Sequence, residues 1–196
     1  MKQLRLVFLP IALAWLLAAA TPASISGQNT AFEADPARTT VEFDLGDTLH
    51  KVHGTFALKH GSIRFDPASG RASGELVVDA ASGDSGSVAR DHRMIKNVLD
   101  ADRFPEIIFR PERLEGKVET EGVSHVVLHG VFTIHGDDHE LAMPLEVQPA
   151  DGGYTAKTSF TVPYVKWGMK RPNLLLLRVS DQVEISIHTA MRKTGS

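Results

Sequence analysis

The chain has 196 residues and no cysteine. That absence excludes disulfides, thiolate nucleophiles, iron–sulfur clusters and cysteine-ligated zinc. Stability must come from packing alone, which a chain of this length can supply, because the buried fraction of surface grows with size. A basic field is missing too: 21 Lys and Arg stand against 24 Asp and Glu, a formal net charge of -3. Nucleic-acid binding needs a basic face to neutralise phosphates, so no nucleic-acid partner is expected. Internal repeats, low-complexity tracts and dividing linkers are also lacking. With 42% hydrophobic and 23% charged residues, the composition is that of one globular domain.

Long hydrophobic runs are absent with one exception. Lys2 and Arg5 precede an almost wholly apolar stretch from Leu6 to Ala20. That is the length of a signal-peptide core and is short for a membrane-spanning helix. Small residues follow, and cleavage after Ala20, Ala23 or Gly27 fits them equally. Residues 1–27 therefore read as a signal peptide and 28–196 as a single exported domain, periplasmic or secreted. A retained N-terminal anchor is the alternative.

The remaining sequence alternates with a period of two. Val41, Phe43 and Leu45 alternate with Glu42 and Asp44; Val52, Gly54, Phe56 and Leu58 share a second face. Ile63 and Phe65, then Leu76 and Val78, then Val126, Leu128, Phe132 and Ile134 continue the pattern, as do Leu141 to Val147, Tyr154 to Val162, and Val183 to Ile187. Turn-forming clusters separate the runs: Asp66 to Gly70, Gly136 to Asp138 and Asp151 to Gly153. Many short strands, each with one buried face, predict an all-β sandwich or barrel. One segment breaks the period. Val88, Met94, Ile95, Val98 and Leu99 fall near helical spacing, which predicts a single principal helix within 85–100, capped by Ser85 or Ser87. Residues 163–182, with Pro163, Gly168, Pro172 and four leucines from Leu174 to Leu177, are irregular.

Several stretches, in order, resemble the YceI-like proteins, a bacterial polyisoprenoid-binding, lipocalin-like group. Asp35 to Phe43 looks like that family's opening strand. Val52 to Phe56 followed by Gly61 to Asp66 looks like its second and third strands. Val78 to Ser82, Ser85-Gly86, Arg90-Asp91, Phe104 to Phe109 and Gly130 to Gly136 follow at the family's spacing. The resemblance covers about residues 31–191. The chain departs from it after Arg90-Asp91, where His92 to Leu99 replaces the usual leucine-plus-aromatic wording. It departs again at Val162 to Trp167, where an arginine-serine-aspartate sequence usually precedes the glycine. The resemblance implies an antiparallel lipocalin-like barrel of about eight strands with one helix, holding a polyisoprenoid, an isoprenoid quinone or a related lipid for carriage or storage. It implies no cofactor beyond such a ligand and no catalysis.

A small barrel either fills its interior with side chains or leaves room for one ligand. By alternation, Val41, Phe43, Phe56, Ile63, Phe65, Leu128, Phe132, Met143 and Phe160 face inward and are the candidate apolar contacts. Gly54, Gly74 and Gly130 lie where further inward side chains would stand; they open space or relieve curvature. Arg90, Arg93 and Lys96 are candidate head-group contacts, since cations beside a cavity mouth suit a phosphate or polar ring. Transient membrane contact and a dimer are compatible with this reading.

Two other classes compete. A metal- or redox-linked accessory protein would use the nine histidines. His125, His129 and His135 share a strand face, but residues four apart in a strand are separated by about 13 Å. One zinc would need His50, His53 or His60 from another strand. A hydrolase would use Ser85, Ser87, Asp91, His92 and Asp102, which no nucleophile elbow surrounds.

Overall fold

The computed structural model describes residues 30–46, 51–172 and 179–194. The segment 1–27, read from the sequence as a signal peptide, His50 and the leucine run Leu174 to Leu177 lie outside the described residues. Among the described residues ten strands form one antiparallel sheet: β1 (Thr30–Ala34), β2 (Thr40–Gly46), β3 (Lys51–Phe56), β4 (Leu58–Phe65), β5 (Ala72–Asp79), β6 (Glu106–Glu115), β7 (Ser124–Ile134), β8 (Asp137–Ala150), β9 (Gly153–Val162) and β10 (Val183–Thr194). β1 pairs with both β4 and β10, which closes the ring. The barrel thus has eight strands, β1 and β4 to β10, with β2 and β3 as an extra hairpin. β10 serves both parts: Glu184–His188 runs along β2, and Met191–Thr194 runs along β1. A single 3-10 turn, Pro36–Arg38, carries the chain from β1 to β2.

The period-two faces of the sequence become the two faces of the sheet. Register pairs Phe109 with Phe132, Leu128 with Met143, and Phe160 with Ile185, so these side chains converge inside. The buried cluster holds Leu99, Phe109, Leu128, Phe132, Ile134, Met143, Phe160, Val162, Tyr164 and Met169. Burying each large aromatic or aliphatic chain contributes about 1.5–3 kcal/mol. Phe132 meets Phe160 edge-to-face at 6.0 Å.

The β7–β8 turn is His135-Gly136, with φ of 54° and 84°. Both positions lie in the left-handed region that a two-residue hairpin turn demands. The sequence placed this turn one residue later; Asp137 and Asp138 already belong to β8, paired with Ile134 and Thr133. The predicted helix is present as α1 (Val88–Arg93), continued by a π-helical turn Met94–Val98 in which Leu99 N–H donates to Met94 O. Ser87 occupies the N-cap without a side-chain hydrogen bond.

Antiparallel order sets which loops share an end. The end of β2 and the start of β3, the β7–β8 turn, the 80–105 segment with α1, and the described residues 163–172 and 179–182 all gather at one end of the barrel. Gly46 O there accepts from Ser180 N, and Phe104 lies against Gly136. The free edge of β3 meets the 80–105 segment through paired backbone bonds between Thr55 and Asp84 of 2.8 and 3.0 Å. No helix among the described residues is long and apolar enough to cross a membrane.

Candidate functional site

The nine apolar candidates all lie on the inward face of the sheet. Phe43 and Phe56 stand on adjacent strands with ring centroids 5.3 Å apart. Val41 is buried and pairs with Phe56 and Ile187. Leu128, Phe132, Met143 and Phe160 form part of the buried cluster. Ile63 packs against its edge, opposite Gly74, and Phe65 pairs with Ala72 towards the far end.

Packing is uneven inside. Around the cluster lie inward apolar side chains that keep solvent-accessible area: Leu45, Phe56, Ile63, Leu76, Ile107, Leu141, Leu145, Ile185 and Ile187, with Met94 and Val98 from the helical segment. Leu76 and Ile185 are mid-strand and flanked by paired neighbours on both sides. Alternation marked most of these as strand positions without separating them from ordinary core, because a period of two reports the face and not the depth.

The three inward glycines do not widen this interior. A Cβ at Gly130 would lie 2.2 Å from Arg110 O, and one at Gly54 would lie 2.3 Å from Phe43 Cζ. At Gly74, with φ of 118°, it would lie 2.1 Å from Ser62 O. Each glycine lets a neighbouring strand or ring come close. The alternative of relieved curvature and close approach therefore holds over that of opened space.

The basic candidates on the helical segment are occupied differently. Arg90 Nε donates to Ser85 Oγ at 2.7 Å and its guanidinium also reaches Ser85 O at 2.9 Å. Lys96 pairs with Asp102. Arg93 is exposed, and no ion pair or hydrogen bond of its side chain is formed among the described residues. Asp91 accepts from both the backbone N–H, at 2.9 Å, and the hydroxyl of Ser85. This knot ties the 84–87 loop to α1. Ser85 contacts a carboxylate and a guanidinium with no histidine between them, so the nucleophile–base arrangement of a hydrolase is not assembled there. Metal-ligating groups are not gathered among the described residues either. His53 instead pairs with Asp44, and His129 with Glu115 at 3.1 Å.

Two aromatic residues of the irregular 163–182 segment complete the helix-side end of the barrel. Tyr164 is buried and its hydroxyl donates to Ser180 O at 2.6 Å. Burial pushes its phenol above the ordinary range. Trp167 packs on Phe132 at 6.0 Å and stacks on His139. The sequence offered no signal for either, since the segment lacks a period. Elsewhere the shifted groups are exposed: the Glu106 carboxylate hydrogen-bonded to Lys59 holds a pKa below its usual range, while that of Lys59 is raised, and the Ser69 hydroxyl lowers that of Asp66. An open trough of about 750 Å³ has Glu42, His125, Glu146, Lys157 and His188 among its lining, whose side chains point away from the core, together with the inward-facing residues Val126, Leu145 and Ile187.

A closed antiparallel barrel with one helix-capped end and an apolar, partly solvent-accessible interior is a small-molecule binding scaffold. The YceI-like domain profile matches residues 32–191, and the chain belongs to that family. Its fold is similar to BcnA from Burkholderia cenocepacia, with a TM-score of 0.66 and 20% identity over 80% of this chain and 98% of that one. A polyisoprenoid-binding domain from Saccharophagus degradans gives 0.67 and 16% identity over 84% and 99%. The YceI protein of Campylobacter jejuni gives 0.58 and 19% identity over 76% and 88%. No curated protein matches the chain.

Proposed function

We propose that this protein is exported to the periplasm or beyond and holds a long isoprenoid lipid in its barrel, for carriage or storage rather than catalysis. The observation that carries this reading is the set of mid-strand inward apolar residues, Leu76 and Ile185 among them, that keep solvent-accessible area beside a packed cluster. A filled barrel buries such positions; a ligand would cover them. The S. degradans relative, a polyisoprenoid-binding domain, supports the choice of ligand class. Energetics allow it without any polar catalytic group. Each buried carbon is worth roughly 0.8 kcal/mol, so a forty-carbon chain nominally gives about 30 kcal/mol, above the practical ceiling of about 18–21 kcal/mol before ordering costs. The test is displacement of the apolar fluorophore N-phenyl-1-naphthylamine from the purified protein by geranylgeraniol. Saturable displacement is expected. Failure of both fluorophore and prenyl chain to bind would overturn the reading.

A further inference from the structure

A buried ring nitrogen without a partner lies at the helix-capped end of the barrel. His139 on β8 pairs in register with Phe132 on β7 and therefore points inward. Its imidazole lies flat on the Trp167 indole, with centroids 3.9 Å apart and planes 6° from parallel. Stacking accounts for the ring's position but makes no use of its nitrogens. Nε2 is buried and has no hydrogen-bond partner. Buried polar atoms are nearly always paired, so an unpaired one on the inner face of a binding scaffold points to a partner that arrives with the ligand.

We propose that His139 Nε2 anchors the polar end of the bound molecule by hydrogen-bonding one uncharged oxygen, a quinone carbonyl or a prenyl-alcohol hydroxyl. This rests on the reading of the barrel as an isoprenoid site. An imidazole nitrogen serves either oxygen, donating to a carbonyl in one tautomer and accepting from a hydroxyl in the other. A diphosphate presents several charged oxygens, which one ring nitrogen leaves mostly unsatisfied, and unpaired buried charge is strongly disfavoured. Of the three cations singled out from the sequence, Arg90 and Lys96 are already engaged with Ser85 and Asp102, and Arg93 stands exposed to solvent.

The test uses the purified protein, its His139→Phe variant and four probes: decylubiquinone, geranylgeraniol, geranylgeranyl diphosphate and the hydrocarbon phytane. Phenylalanine keeps a flat ring on Trp167 and removes the nitrogens. His139→Phe should weaken the tighter of the two uncharged oxygenated probes by about tenfold, the worth of one hydrogen bond. Phytane affinity and the thermal midpoint should hold, and His139→Gln, which keeps donor and acceptor atoms, should recover part of the loss. Which oxygenated probe binds the parent more tightly identifies the carbonyl or the hydroxyl. Equal binding of that probe by parent and His139→Phe overturns the anchor while leaving the binding function standing. So does an equal loss of phytane, or a parent that prefers the diphosphate. A parent that takes none of the four probes overturns the function and the anchor together.

Discussion

Gly130→Ala adds one methyl group where the barrel has no room for it. The new Cβ would meet Arg110 O at 2.2 Å, Phe109 Cζ at 2.8 Å and Pro111 Cα at 2.9 Å. Two of these obstacles are β6 backbone, fixed by the pairing of Pro111 with Gly130 and beside the register shift between Pro111 and Arg113. They cannot swing aside as a flexible side chain would. Overpacking of this kind costs about 1–3 kcal/mol. Alanine in a strand recovers roughly 0.5–1 kcal/mol of the glycine's entropic cost. The net destabilisation is then centred near about 1 kcal/mol, and at roughly 2–4 °C per kcal/mol the midpoint falls by about 2–5 °C. Thermal unfolding followed by circular dichroism measures it, with Gly46→Ala as the control, because nothing lies within 4 Å of a Cβ there. A Gly130→Ala protein that melts at or above the parent would refute the packing argument and restore the idea that inward glycines widen the interior.

Three further outcomes are expected. Asp91→Ala removes the acceptor for Ser85 N–H and should destabilise the protein by about 1–3 kcal/mol, measured by urea unfolding; no loss would show that the Ser85 knot is incidental. Burial raises the Tyr164 pKa above 10.0, so its stabilising contribution is complete below that pH and fades as pH climbs through the higher folded-state value. Phenolate absorbance in a Tyr154→Phe background should therefore develop only above pH 10.0 in the folded protein, and ionisation at or below it contradicts the burial. Intact mass of the exported protein should place the new N-terminus between Thr21 and Gln28, whereas a full-length chain held in the membrane would refute the signal peptide.

The strands were legible because each buries one face. The alternation of Val126, Leu128, Phe132 and Ile134 survives as the inward face of β7, and the helix expected within 85–100 is present as α1 and its π-helical turn, but Val88, read as part of its apolar spacing, is 88% exposed. Closure was harder to read. It depends on β10 switching partners from β2 to β1 at Thr189–Ala190, and no local pattern in those residues records two partners. Turn position slipped by one because His135, rather than a residue of the Gly-Asp-Asp cluster, takes the first left-handed position. The site was half legible. Phe43, Phe132 and Phe160 follow the period of two, but His139 lies between the turn cluster and the apolar run that begins at Leu141, and Trp167 lies in an aperiodic segment. Their stacking joins residues 28 positions apart across a loop, a contact that only the folded barrel creates. Arg90 was read by its charge, while its actual partner, Ser85, was read as a cap.

The central claim, that the barrel holds an isoprenoid lipid, is tested most directly by mass spectrometry of an organic extract of the protein purified from its native compartment. The account predicts a prenyl-chain lipid close to one per protein, released by solvent and absent from a mock purification. An extract without such a lipid, from a protein that also fails to take up added quinone or prenyl alcohol, would contradict it.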